Sequence, residues 1–256
     1  MKHAKKLIVL LLIVVAWVWH RMPIITGPLT KQTIYVAVID AMGSGGSDAC
    51  SDPQPPNLGG LWGLWIDDDS GPGISKVMRL CDTLNIRATL AVVPDNVPPQ
   101  LIDSLADWQR RGGGIALHGL HHDSWEGWTE EQVTADLRQS REALARMGLD
   151  TARLMPIVVP PHARNTRAIR AAIRRAGCHM VTGANVVNPS PSCQLWGRLW
   201  ITRDTDLDKV RHLLERAREK QAFVVLGTHS SQPNEFSYEK TKAVIGMAFD
   251  MGFASP

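Results

Sequence analysis

With a formal net charge of only +3 over 256 residues, the chain lacks the positive field needed to hold a nucleic acid. No C-x-x-C spacing occurs among its four cysteines, which argues against a thiolate zinc site. No internal repeat is found, so solenoids and propellers are excluded. Nor is there an apolar run of the roughly 20 residues that a membrane-spanning helix needs. The longest, residues 7–19, falls short of that.

That short run is nevertheless informative. Lys2, Lys5 and Lys6 precede it and His20 and Arg21 close it, the order of an export signal. No small-x-small cleavage site follows, because the next residues are bulky. Residues 1–26 are therefore expected to form an uncleaved signal anchor or a signal peptide. The folded part would then lie outside the cytoplasm, membrane-anchored or periplasmic or extracellular. Cys50, Cys81, Cys178 and Cys193 permit two disulfides in that compartment, with three possible connectivities. Cys81 also fits a buried thiol on an apolar helix face. Arginines crowd residues 138–175, but they fall on polar faces of expected helices and read as solvated surface.

Residues 43–60 are rich in Gly, Ser and Pro and read as loop. They separate a strand-like run at 34–39 from a second at 61–66, and after that the chain alternates regularly. Strands are expected at 88–93, 114–117, 154–159, 179–182, 199–202 and 222–226. Helices are expected between them, one opened by a capping box of Thr129 and Gln132 and stopped at Gly148. Seven or eight strands alternating with helices argue for a parallel α/β fold. The expected organisation is a signal segment at 1–26, a strand plus loop at 27–60, and an α/β barrel at 61–256 whose start could fall as early as about 33.

Three separated segments carry chemistry. Asp67, Asp68 and Asp69 follow the apolar run 61–66. Adjacent carboxylates repel, so they are tolerated when solvated, when capping a helix, or when facing a cation. His118 and His122 are four residues apart, which on a helical turn puts both imidazoles within reach of one metal, with His121 pointing elsewhere. His229 ends the run 222–226 and precedes the polar residues Ser230, Ser231 and Gln232. Carboxylates and imidazoles at the ends of successive strands converge on one rim of an α/β barrel. Trp125, Trp128, Trp196 and Trp200 fall near loops expected on that side, where sugar-stacking and core packing are both open readings.

The order of these segments resembles that of the polysaccharide deacetylase (NodB-like) family, including its divergent branches. The resemblance covers residues 61 to about 232. It is carried by Ile66, Asp67 and Asp68, by the run 88–94 (ATLAVVP), and by His118 and His122. It continues through Val158, Val159, Pro160, Pro161 and His162, and ends at Leu226, Gly227, Thr228 and His229.

The resemblance implies a distorted (β/α)7-8 barrel and a metal-dependent hydrolase that removes acetyl groups from N- or O-acetylated glycans. It assigns Asp67 as general base, Asp68, His118 and His122 as metal ligands, and His229 as general acid. Pro161, His162 and Trp200 would adjoin the substrate, with the His162 backbone N–H as an oxyanion donor. One carboxylate and two imidazoles suit zinc, with nickel, cobalt and manganese as alternatives.

The chain departs from the pattern in places. Val159 stands where the family has an arginine that orients the base, with Arg164 and Arg153 as possible substitutes. Asp204 and Trp200 are the candidates for the family's later Asp/Trp pair. The third aspartate leaves open a shifted register, with Asp68 as base and Asp69 as ligand. A catalytically inactive carbohydrate-binding relative is the alternative reading. A metal-dependent phosphoesterase is weaker, since neither a dinuclear ligand set nor a basic cluster adjoins the histidines.

Overall fold

A computed structural model describes residues 24–27, 29–41, 61–67, 71–189, 191–232 and 235–254, with backbone alone at 38–41, 61–67 and 254. The apolar run 7–19, the Gly/Ser/Pro-rich loop at 43–60 with Cys50, and Asp68 and Asp69 lie outside the described residues. Among those described, no helix is long and apolar enough to cross a membrane. Cys81, Cys178 and Cys193 are buried, and no disulfide links any two of them.

Nine strands are described: β1 (Leu61–Asp67), β2 (Thr89–Val92), β3 (Gly114–Leu117), β4 (Ile157–Val158), β5 (His179–Val181), β6 (Leu195–Trp196), β7 (Leu199–Trp200), β8 (Val224–Thr228) and β9 (Phe253–Ala254). Their ladders are all parallel, in the order β6-β5-β4-β3-β2-β1-β8-β7, with β9 added beside β1. Seven helices alternate with them: α1 (Lys31–Ala41), α2 (Ile74–Leu84), α3 (Ile102–Arg110), α4 (Glu130–Arg146), α5 (Arg167–Arg175), α6 (Leu207–Glu219) and α7 (Tyr238–Asp250).

The two-residue alternation of a strand sorts the core into two clusters. Leu90, Val92, Ile115, Leu117, Val158, Met180, Val224 and Leu226 join helix residues such as Val77, Leu105, Val133 and Ile169. Ala91, Ala116, Ile157, Val159, Val181, Trp196, Phe223 and Val225 form a second cluster facing inward. Burial on both faces is what covered parallel sheets require. Inside, the small Ala91 and Ala116 are offset by large rings. Trp196 stacks on the buried His179 (centroids 4.4 Å apart) and meets Phe223 edge-on. Burial lowers the pKa of His179 and favours its neutral form.

The strand order has two ends, β6 and β7, joined by only Gly197 and Arg198. Asn188, fully buried, closes this seam. Its side chain accepts from Gly197 N–H (2.7 Å) and donates to Gly197 C=O (3.0 Å). Its backbone exchanges hydrogen bonds with Phe223 in an isolated antiparallel bridge. A Cβ on Gly197 would lie 2.2 Å from Val186 Cγ2, so only glycine lets the backbone pass there.

Most expected elements are present, including the Thr129/Gln132 capping box and the left-handed Gly148 after α4. The run at 34–39 is an exception: it is helix α1, not strand. Thr30 starts it by accepting from Thr33 N–H at its side chain and from Ile34 N–H at its carbonyl. Thr33, Val36 and Ala37 then bury one helical face. Local capping and packing override the β-branched composition. The strand expected at 154–159 shrinks to Ile157–Val158, because Thr151–Arg153 is a 3-10 turn and Pro156 supplies no N–H. The two-residue strands β6 and β9 carry no period long enough to be read.

Replacing Asn188 with Leu strands the Gly197 N–H and C=O inside the protein. At about 1–3 kcal/mol for each unsatisfied buried group, the variant is expected to lose roughly 2–4 kcal/mol of stability. Thermal unfolding measures this; a loss below about 0.5 kcal/mol would mean that the seam is closed by the Phe223 bridge alone.

Candidate active site

Parallel pairing brings the three chemistry-bearing segments to one edge of the barrel. Asp67 ends β1, level with Leu90 of β2 and Thr228 of β8. His118 is the first residue after β3, and His229 the first after β8. The loop after the acidic cluster is pinned to the loop after His229. Gly73 N–H donates to Ser231 Oγ (2.8 Å), and a Cβ on Gly73 would lie 2.2 Å from the carbonyl carbon of Ser230. Glycine is required here by close approach rather than by its φ of −63°.

His118 and His122 come together, but not on a helical turn as their spacing suggested. Gly119 (φ +80°) and His122 (φ +64°) adopt left-handed conformations, and the resulting tight loop sets the two rings edge to face with centroids 4.8 Å apart. At Gly119 a Cβ would also meet Pro161 Cγ at 2.9 Å, so the loop is seated on the proline segment. His118 is 2% exposed, and its Nδ1–H donates to Val159 C=O (2.6 Å). That bond fixes the tautomer and leaves the Nε2 lone pair as the ligating atom. His121 points away, into an ion pair with Asp95.

Asp136 of α4 holds this loop from behind, and sequence reasoning missed it. Its Oδ1 accepts from Leu120 N–H (3.1 Å) and from Ser140 Oγ–H (3.3 Å). Burial pushes the carboxyl pKa up, while these two hydrogen bonds oppose the rise. The signal was available: Asp136 and Ser140 sit on the stripe of α4 that buries Val133, Leu137 and Leu144. Polar residues on an apolar stripe need a partner.

The proline loop forms the neighbouring wall. Pro161 is buried against Gly119, while His162 is exposed with φ 54°. The His162 ring lies 4.7 Å from that of His122, and its Nε2 is 3.2 Å from His122 C=O. Gln32 of α1 brackets the loop, donating to Ala163 C=O and accepting from Gly183 N–H. Arg164 is engaged with Glu126 (3.1 Å) and Ser124 (3.3 Å). Arg153 precedes β4, at the opposite edge of the sheet.

On the His229 side, Nδ1 lies 2.8 Å from Glu235 Oε2, and the ring packs on Trp200 (centroids 4.5 Å). The Arg198 guanidinium, on a residue only 3% exposed, covers Trp200 at 3.9 Å. Trp200 is thus a platform for the chain's own Arg198 and His229. Glu235, not Asp204, is the carboxylate on His229; Asp204 occupies the exposed turn before α6. Trp125 and Trp196 are core residues, and Trp128 packs against the core. Neither Glu235 nor Arg198 carries a sequence signal, since each acts through a short loop whose path has no period.

Two nitrogens sharing one ion at 2.0–2.1 Å can be no more than about 4 Å apart. The His118 and His122 rings lie edge to face with centroids 4.8 Å apart, and the Nδ1–H bond to Val159 leaves Nε2 as the acceptor nitrogen of His118. Among the described residues no third ligating side chain joins them. The aspartates expected to complete the set have no described side chains.

The match to known proteins follows this geometry. Residues 56–181 match the family model described as polysaccharide deacetylase, a span that includes Asp67, Asp68, His118 and His122. No curated protein matches by sequence. Among solved structures, the chitin deacetylase of the fungal pathogen Colletotrichum lindemuthianum superposes with a TM-score of 0.58 at 14% identity, covering 77% of this chain and 85% of that one. A family 4 acetyl xylan esterase from Clostridium thermocellum, in complex with a cobalt ion, gives 0.55 at 14% identity, covering 76% and 87%. A mutant family 4 carbohydrate esterase pseudoenzyme with restored activity gives 0.54 at 10% identity, covering 77% and 65%. At these identities the structures speak for the fold. The family match over residues 56–181, together with the ordered site segments on the barrel rim, likens this chain to the polysaccharide deacetylase family.

Proposed function

We propose that the protein is a metal-dependent carbohydrate deacetylase acting on an N- or O-acetylated glycan outside the cytoplasm, tethered to the membrane or released by its N-terminal segment. One observation supports this above the rest. His118, buried at the rim with Nδ1–H committed to Val159 C=O, is preset to ligate through Nε2 beside His122. Asp68, His118 and His122 would hold the ion, with zinc the default and nickel, cobalt or manganese as alternatives. Such an ion, when bound, polarises the acetyl carbonyl and acidifies water near neutral pH.

The chain's own groups supply the rest of the reaction. Asp67 takes the proton of the water that attacks the acetyl carbon. The new C–O bond leaves negative charge on the former carbonyl oxygen, to which the His162 backbone N–H would donate. As the C–N or C–O bond to the sugar breaks, His229 gives its Nε2 proton to the departing amine or alkoxide. Water is consumed, and acetate and the free amine or hydroxyl are released.

A catalytically inactive, carbohydrate-binding protein is the second reading. It is favoured by Val159 in the place of the family's arginine, and by the occurrence of a pseudoenzyme on this fold.

Acetate release from chitooligosaccharides, acetylated xylan and peptidoglycan fragments separates the two. The wild type is expected to release acetate from at least one of them, and Asp67→Asn to lower that rate by about 10²–10⁴-fold, the usual contribution of a general base. Equal release by both across the panel would sink the enzyme reading.

Asp136 offers a check of the metal assignment that needs no substrate. Asp136→Ala, which removes the acceptor of Leu120 N–H, is expected to weaken metal binding by about 10–100-fold, whereas Asp136→Asn keeps a carbonyl acceptor and most of the affinity. Metal titration monitored by calorimetry reads both; equal affinities in wild type and Asp136→Ala would disconnect Asp136 from the ligands.

A further inference from the structure

We propose that Glu235 is the positioning residue of His229: it holds the imidazole as the Nδ1–H tautomer, so that Nε2 is the nitrogen that exchanges a proton with substrate. This rests on the reading of His229 as the proton donor and names the group that makes it one. The Nδ1 to Oε2 distance is 2.8 Å, and a carboxylate at that range accepts from an N–H. Which ring nitrogen of a histidine carries the proton is set by the hydrogen bond made at the other end.

The carboxylate is held in place by its own short turn. Gln232 N–H donates to His229 C=O, and Glu235 N–H and Phe236 N–H both donate to Gln232 C=O. Arg203 N–H donates to Glu235 C=O at 2.7 Å, and the buried Phe236 anchors the far end. Donor and acceptor of the histidine–carboxylate pair therefore lie on one turn directly after β8. Trp200, itself covered by Arg198, fixes the plane of the ring from another direction.

Energetics point to function rather than to stability. The pair is solvent-accessible, with side chains 32% and 54% exposed, and an ion pair so placed contributes little to folding. What it does contribute is direction. Proton transfer to a leaving group converts imidazolium to neutral imidazole. With Nδ1–H bound to Glu235, the proton given up is the one on Nε2, and the neutral ring left behind is the tautomer that Glu235 already holds.

The test uses the full-length protein labelled with nitrogen-15. Long-range nitrogen–proton spectra of the imidazoles are recorded above the titration range, with His229→Gln identifying the His229 signals. The wild type is expected to show the Nδ1–H tautomer. Glu235→Gln keeps an oxygen acceptor and is expected to keep that tautomer, while Glu235→Ala shifts the population to Nε2–H without moving the melting temperature. In acetate release, Glu235→Ala is expected to lower kcat by about 10–100-fold with KM unchanged, and Glu235→Gln to recover most of it.

An Nε2–H tautomer in the wild type, or an unchanged Nδ1–H tautomer in Glu235→Ala, overturns the proposal. If the tautomer follows Glu235 but the wild type releases no acetate from any glycan, the positioning role stands and the deacetylase reading fails.

Discussion

Parallel pairing of β1 with β2 on one side and β8 on the other is the constraint from which the site follows. All described ladders run the same way, so every strand delivers its carboxyl end to one rim. Asp67, His118 and His229 lie far apart in sequence, yet their strand ends stand within a few strand spacings of about 4.8 Å. The fold spends its interior on this arrangement: Ala91 and Ala116 make room for Trp196 and Phe223, and Asn188 joins the two ends that β6 and β7 leave open. Beside that seam β7 pairs with β8, which sets Trp200 against His229.

Much of this could be read from the sequence, and for identifiable reasons. Helices α4 and α5 announce themselves through a long amphipathic period, a cap at Thr129 or Thr166, and a glycine stop. Strands β1, β2, β3 and β8 are apolar runs bounded by polar or glycine residues. The rim histidines and aspartates stand immediately after such runs, so the topology of parallel sheets made their convergence inferable. What could not be read was anything decided by less than one period of structure. Strands β6 and β9 are two residues each, and helix α1 hides in a β-branched run because its evidence is a single cap at Thr30. The loop of His118 and His122 was legible as a pair but not as a shape, since its two left-handed residues follow from packing against Pro161 rather than from local propensity.

The two halves of the site are held by different groups. On the His118 side the supports are the Val159 carbonyl, the Asp136 carboxylate that accepts from Leu120 N–H, and the left-handed backbone at Gly119. A carbonyl is present whatever the side chain, so Val159 serves His118 as well as any residue there would, while its own side chain fills the inward-facing cluster. Loss of a polar side chain at 159 therefore leaves the histidine pair intact. On the His229 side the supports are side chains, namely Glu235, Trp200 and Arg198. Each can be supplied from a different loop without disturbing the sheet. The family match accordingly covers the histidine pair, at 118 and 122, and stops short of His229.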